Sequence, residues 1–158
     1  MGTSPRLVFL VTEDWYFCSH RLALGCAARA AGFDVTVATH VDRHAEPIRD
    51  AGLALAPLPI SRRSAHPVRE GALVREIAAL YRRLRPDIVH HVAMKPVLYG
   101  SLAAWSCRAP HVVNALPGLG YVFSSTDLRA RLLRPAVERA FRLAVERPGS
   151  RLLLQNPD

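Results

Sequence analysis

Short apolar runs alternate with longer stretches in which apolar positions recur every three or four residues, and this change of period divides the chain from end to end. Residues 7–11 are almost wholly apolar and rich in β-branched and aromatic types, the pattern of a strand covered on both faces. Residues 15–31 switch to a helical period, with Leu22, Cys26 and Ala30 on one stripe, Ala23, Ala27 and Ala31 beside it, and Gly32 as the stop. Further strands are expected at 34–39, 53–58, 87–92, 111–115 and 151–155, with a weak helix or irregular link at 42–50. A helix at 68–84 turns Leu73, Ile77 and Leu80 or Leu84 inward and Arg75, Arg82 and Arg83 outward, and Arg85-Pro86 ends it. Pro96 can start the next helix, which carries Leu98, Leu102 and Trp105 and stops at Ala109-Pro110. A long amphipathic helix over 125–146 turns Leu128, Leu132, Leu133, Val137, Phe141 and Val145 toward the core.

Strand and helix in strict alternation imply the α/β class, a three-layer α/β/α sandwich with a mainly parallel sheet of about six strands. Ligands of such sheets sit beyond the carboxyl ends of the strands, above all where strand order reverses. The segments that bear on function are therefore 12–20, 40–43, 59–66, 91–95 and 114–125.

At 158 residues and 50% hydrophobic, the chain can build one core without disulfides or a metal. Its 21 basic residues against 13 acidic give a formal charge of +8, with Lys95 the only lysine. That balance suits a phosphate-bearing partner, an anionic membrane surface or nucleic acid. The arginines are spread over several helices, with neither zinc-finger spacing nor an RNA-binding pair of aromatic strands, so nucleic acid is not an expected partner. The clusters Arg62-Arg63, Arg82-Arg83-Arg85 and the arginines from Arg129 to Arg142 can lean on anionic lipid or form ordinary solvated faces. Cys18, Cys26 and Cys107 form no CxxC and no ligand spacing, which favours a reduced intracellular chain with no metal site. The first apolar run is too short to span a bilayer.

The connection after the first strand, residues 12–21, has neither the GxGxxG of dinucleotide sites nor a P-loop, so an oxidoreductase and a P-loop NTPase are disfavoured. It offers Trp15, Tyr16 and Phe17, which either wall a groove for a sugar or lipid-linked head group or seal the sheet edge. His20 and Arg21 follow, His20 either touching a ligand or capping the helix locally. His90 and His91, adjacent in a strand, point to opposite faces and do not make a metal pair. His91 followed by Lys95-Pro96 sets a proton-handling group and the sole ammonium at one strand-to-helix turn, where free N–H groups also favour anions; the bland reading of Lys95 is a solvated turn residue. Gly118 and Gly120, around Leu119, expose backbone N–H groups to a phosphate or sugar hydroxyl, or serve loop shape alone. With the fourth and fifth strands as neighbours, His91, Lys95 and the Gly118–Gly120 turn are expected in one pocket.

Residues 15–21, the run Ala31-Gly32-Phe33-Asp34-Val35-Thr36-Val37, residues 91–104 with their Lys95-Pro96, and Asn114-Ala115-Leu116-Pro117-Gly118-Leu119-Gly120-Tyr121-Val122-Phe123 resemble the amino-terminal half of a retaining GT-B glycosyltransferase of family 4. The likeness is to bacterial enzymes that extend lipid-linked saccharides, and Gln155-Asn156-Pro157-Asp158 resembles the end of that domain's last strand. The resemblance implies that 1–158 form the N-terminal Rossmann-like domain, that the C-terminal donor-binding domain is absent, and that the chain is inactive alone. It further implies transfer of a hexose or N-acetylhexosamine from a nucleotide-sugar to a lipid-linked or glycan acceptor. The nucleotide-sugar is then donor substrate of the full-length enzyme, no cofactor is held tightly, and the setting is cytoplasmic, peripheral at the inner face of an anionic membrane. Several related enzymes place a His after the fifth strand where this chain has Asn114, so no catalytic base is assigned. In the mechanism the family is thought to use, the donor's leaving phosphate helps deprotonate the acceptor hydroxyl. The expected substrate-binding set is His20, Arg21, His91, Lys95 and Asn114, with Gly118, Leu119 and Gly120 toward the donor phosphates. Half of a nucleotide-sugar epimerase and a stand-alone, non-catalytic α/β ligand-binding module are the alternatives.

Overall fold

The computed structural model describes residues 4–62, 66–117 and 128–154, without the side chains of 128–134 and 145. Its six strands are β1 (Arg6–Glu13), β2 (Asp34–His40), β3 (Ala54–Pro57), β4 (Ile88–Val92), β5 (His111–Leu116) and β6 (Ser150–Leu154). They form one sheet in the order β3-β2-β1-β4-β5-β6, with every adjacent pair parallel. Helices α1 (Asp14–His20), α2 (Leu22–Ala30) and α3 (Ala45–Asp50) cover one face; α4 (Pro67–Leu84), α5 (Met94–Ser106) and α6 (Leu128–Val145) lie on the other. This is a three-layer α/β/α sandwich whose strand order reverses between β1 and β4.

β1 is the hub, because an apolar residue at nearly every position feeds both layers. Phe9 and Val11 join Val35, Val37, Phe17, Ile48 and Leu53 on one side. Val8 and Leu10 join Val89, Val112, Ile77 and Tyr81 on the other. Each such side chain, removed from water, stabilises the fold by about 1.5–3 kcal/mol before conformational entropy is counted.

In α4 the expected inward stripe holds, with Leu73, Ile77 and Leu80 buried; Tyr81, four residues after Ile77, is buried with them and Leu84 packs at the margin. In α6, Val137 and Phe141 are half-buried, whereas Leu128, Leu132, Leu133 and Val145 have side chains outside the described set.

Two helices differ from the sequence pattern for one physical reason, close approach. The stretch 15–31 is two helices, broken at Arg21, whose φ of −131° lies outside the helical range. The break rolls α2 so that Gly25, rather than the Cys26 stripe, meets the core. A Cβ on Gly25 would stand 2.9 Å from Leu53 and 3.1 Å from Phe17. In α5 the buried face is Val97, Gly100, Ser101, Ala103 and Ala104, while Leu102 and Trp105 are 49% and 72% exposed. A Cβ on Gly100 would lie 2.5 Å from His91 Nε2 and 2.8 Å from Leu10. Only a face of small residues lets α5 lie this close to β4, so the large apolar residues turn outward.

Candidate functional site

The carboxyl ends of β1 and β4 flank the point where strand order reverses, and three side-chain clusters gather there and on the neighbouring loops. The first joins the end of β1 to the loop after β3. Glu13 accepts a hydrogen bond from Trp15 Nε1–H at 2.7 Å and pairs with Arg62 Nε at 3.2 Å. The Arg62 guanidinium stands 5.5 Å from the Trp15 ring centroid and 5.8 Å from that of Tyr16, within cation–π range. Tyr16 in turn stacks on His20, with centroids 4.4 Å apart and planes 10° from parallel. Arg62 is placed here by Ile60, which is fully buried in the core and pins the loop two residues earlier.

The second cluster centres on Asp14, which is 1% exposed. Its carboxylate accepts N–H bonds from Trp15 at 2.7 Å and from Asp42 and His44 at 2.8 Å each. Burial pushes its pKa up, but the three backbone N–H groups and the nearby His44 imidazole outweigh that and hold the carboxyl below its ordinary range. Asp14 thus fastens the loop after β2 to the start of α1, under the aromatic rim.

The third cluster holds Lys95, in the first turn of α5. Its Nζ donates to the Ser61 carbonyl at 2.7 Å, pairs with Glu70 Oε2 at 2.9 Å and sits 5.6 Å from the Tyr99 ring centroid. Burial and the neighbouring Glu70 raise the Tyr99 pKa. Ala93, the residue before α5, has φ 81° and ψ 163°, a region favourable only to glycine, while its N–H bonds the Ala115 carbonyl at 3.0 Å. Backbone strain is therefore held at the junction that positions Lys95.

The sequence-derived site residues fall into different surroundings. His20 is on the exposed rim, its Nδ1 3.3 Å from the Tyr16 carbonyl oxygen. Arg21 occupies the α1–α2 break, half-buried, where its charge acts on His90. Lys95 is not a solvated turn residue but an 18% exposed cation held by Glu70 and Ser61.

His91 and Asn114 do not line an open pocket: both are 0% exposed. The β4–β5 pairing sets them side by side, as neighbouring strands were expected to do. His91 Nδ1 lies 2.8 Å from Asn114 Oδ1 and Nε2 lies 3.0 Å from the Tyr81 hydroxyl, so both ring nitrogens have protein partners. Ser101 Oγ donates to the same Asn114 oxygen, Asn114 Nδ2 donates to Ser150 Oγ, and Ser150 Oγ donates to the Ala144 carbonyl. Burial lowers the His91 pKa to about 4; the Asn114 bond opposes this, and the charges of His90 and Arg147 add to it. His91 and Lys95 therefore serve separate networks, although four residues separate them. His90 faces the opposite layer, packed on Phe9, and its pKa is lowered to about 4 by burial and by Arg21. Gly118, Leu119 and Gly120 lie outside the described residues. Among the described residues no group of three His, Cys, Asp or Glu can hold a metal ion.

Sequence reasoning placed Glu13, Asp14, Ser61 and Arg62 within the segments that bear on function but gave none of the first three a role, left Arg62 between a lipid-leaning cluster and a solvated face, and missed Glu70. The signal for Asp14 was present, a carboxylate at the first position of a helix, whereas the Glu13–Arg62 and Glu70–Lys95 pairs join residues far apart in sequence.

Comparison with known proteins agrees with this architecture. A glycosyltransferase from Rickettsia africae superposes with a TM-score of 0.60 at 11% identity, over 72% of this chain and 30% of that one. MurG of Acinetobacter baumannii gives 0.60 at 15% identity over 82% and 39%. A Listeria monocytogenes protein described as a UDP-N-acetylglucosamine 2-epimerase gives 0.56 at 13% identity over 85% and 37%. The chain thus spans less than half the length of each, and at these identities the likeness is one of fold. A search of curated protein sequences gives no significant match. The model of the family described as glycosyl transferase 4-like matches residues 6–147, nearly the whole chain, and the protein belongs to that family.

Proposed function

We propose that this chain is the acceptor-side domain of a retaining glycosyltransferase. The complete enzyme moves a hexose or N-acetylhexosamine from a nucleotide-sugar to a lipid-linked or glycan acceptor, and a C-terminal donor-binding domain completes the site. The observation that carries this reading is the half-exposed Arg62 guanidinium, held by Glu13 against Trp15 and Tyr16 at the reversal of strand order in a family-4-like fold. Such a rim joins an aromatic surface for a sugar ring to a cation for a phosphate.

Within this reading His20 and Arg62 face the acceptor, Lys95 and Asp14 position the loops that frame it, and His91 and Asn114 hold β4, β5 and α5 in register beneath it. Gly118, Leu119 and Gly120 serve the donor phosphates, and the nucleotide-sugar is a substrate rather than a resident cofactor. The setting is cytoplasmic, at the inner face of an anionic membrane; among the described residues no helix is long and apolar enough to cross one.

The test is paired titration of the 158-residue protein, followed by NMR, with a short prenyl-diphosphate saccharide and with UDP-sugars. The acceptor analogue is expected to shift the Trp15 indole resonance, while mass spectrometry finds no glycosylated product. Binding of UDP-sugar alone, or turnover by the chain itself, overturns the proposal. An epimerase half is the second reading, because the 2-epimerase superposes about as well as the transferases. Product analysis separates the two once a donor-side domain is supplied: an epimer without acceptor, or a glycosylated acceptor.

A further inference from the structure

The amino edge of the sheet, opposite the rim just described, carries a cleft of about 530 Å³ between the ends of α4 and α5. Arg82, Arg85 and Arg108 line it together with Asp87, Cys107 and Pro110. Two of these arginines stand where a helix normally ends on glycine. Arg85 caps α4 with φ 47° and ψ 58°, and Arg108, just past α5, has φ 54°. A side chain in this left-handed conformation is strained, and glycine relieves the strain at no steric cost. Glycine does occupy the corresponding stop after α2, where Gly32 has φ 94°.

Helix capping alone therefore does not account for arginine at both α4 and α5. Among the described residues the one carboxylate in the cleft is already engaged: Asp87 accepts the Arg6 backbone N–H at 2.7 Å and lies 3.7 Å from the Arg6 guanidinium. Among the described residues none of Arg82, Arg85 and Arg108 pairs with a carboxylate. The negative ends of two helix dipoles amount together to about one charge, so of the three formal positive charges about two remain in excess. Guanidinium groups converging from two helix ends present forked donors suited to phosphate oxygens.

We propose that this cleft is a binding site for a small phosphate-bearing anion, held by Arg82, Arg85 and Arg108. The site rests on no part of the transferase reading. Strain kept at Arg85 and Arg108 is offset when the anion binds, so each arginine trades stability for recognition.

Glycine substitution tests this directly, because it separates capping from binding. Calorimetric titration of the 158-residue chain with inorganic pyrophosphate is expected to show one saturable site. Arg85→Gly and Arg108→Gly are each expected to weaken it at least tenfold while the thermal midpoint holds or rises. Arg83→Ala removes the same charge from α4 outside the cleft and is expected to change affinity less than twofold. Phosphatidylglycerol and phosphatidylcholine vesicles distinguish a lipid head group from a free phosphate. A head-group site sediments the parent chain with phosphatidylglycerol only, loses this in both glycine variants and releases it to pyrophosphate; a free-phosphate site binds pyrophosphate and ignores both vesicles. Glycine variants that gain stability with unaltered affinity, an equal loss in Arg83→Ala, or no binding of either probe overturns the proposal.

Discussion

Asn114 Oδ1 lies 2.8 Å from His91 Nδ1, and since an amide oxygen only accepts, the His91 proton is on Nδ1. Nε2 is then the acceptor for the Tyr81 hydroxyl, so one directed chain of hydrogen bonds runs from α4 through β4 and β5 to β6 and the end of α6. Asn114→Leu keeps the branching at Cγ and removes the joint. Each buried group left without a partner costs roughly 1–3 kcal/mol, so urea denaturation should show a clear loss of stability. Asn114→Leu combined with His91→Leu should lose less than the sum of the two single changes; strict additivity would mean that the chain is not one network.

Acid should destabilise the fold well above the range of ordinary carboxylates. His90 and His91 have folded pKa values of about 4 against an ordinary 6.5, so the unfolded chain binds more protons between those values. Their contribution is complete above about pH 6.5 and is lost as pH falls toward 4, by up to about 1.4 kcal/mol per pH unit for each residue. The urea midpoint should therefore fall from pH 7 to pH 4.5. His90 Nε2 has no hydrogen-bond partner among the described residues, so His90→Phe should keep stability at pH 7 and remove about half of the slope. A slope unchanged in that variant would place the titration elsewhere.

Two glycines in neighbouring helices should respond to alanine with opposite signs. In α5, a Cβ at Gly100 meets His91 at 2.5 Å and Leu10 at 2.8 Å, and such overpacking costs about 1–3 kcal/mol. In α4, a Cβ at Gly71 meets nothing within 4 Å, so Gly71→Ala should gain about 0.5–1 kcal/mol from helix propensity. Thermal denaturation of both variants reads the signs, and a stabilised Gly100→Ala would mean that α5 does not lie tightly on β4.

How far the sequence reveals this molecule depends on the range of the interaction concerned. Periodicity exposes β1 and the Leu73, Ile77 and Leu80 stripe of α4, because local spacing dictates both. It misplaces the buried faces of α2 and α5, where Gly25 and Gly100 carry little hydrophobic signal yet decide how near each helix comes. His91 and Asn114 look like site residues on a list of polar types near strand ends, and they are core residues because α5 lies over them. Lys95 stands out in the sequence as the sole lysine, but Glu70 is 25 positions away, and no local pattern announces a partner at that distance.

Lys95 should prove to be a positioning residue with a measurable structural role. Its ammonium and the Glu70 carboxylate are 18% and 13% exposed, so removing one leaves the other poorly solvated. Lys95→Met should cost about 1–3 kcal/mol, and Lys95→Met with Glu70→Leu should recover most of it. On the proposed transferase reading, the single variant of the complete enzyme should lower kcat/KM beyond what unfolding explains, because the Ser61 carbonyl, one residue from Arg62, loses its tether. Unchanged stability together with unchanged kcat/KM would return Lys95 to an ordinary surface role.

Arg62 should separate acceptor recognition from folding. Its stabilising contacts are modest, a cation–π pair of about 0.5–1 kcal/mol and a half-exposed ion pair of about 0.2–1 kcal/mol, so Arg62→Ala should cost under about 2 kcal/mol. Its value lies in geometry. Glu13 holds the guanidinium beside Trp15, and on the proposed acceptor reading that planar group presents its paired donors to a phosphate next to the ring. Trp15 and Trp105 are the chain's two tryptophans, so a Trp105→Phe background makes fluorescence report on Trp15 alone. In that background a prenyl-diphosphate saccharide should alter Trp15 emission saturably. Arg62→Ala should weaken the response tenfold or more, about 1.4 kcal/mol of binding. Arg62→Lys should restore little of it, since an ammonium keeps the charge and loses the planar fork. An Arg62→Lys protein that binds as tightly as the parent would reduce the role to net charge, and an Arg62→Ala protein within twofold of the parent would remove Arg62 from the acceptor site.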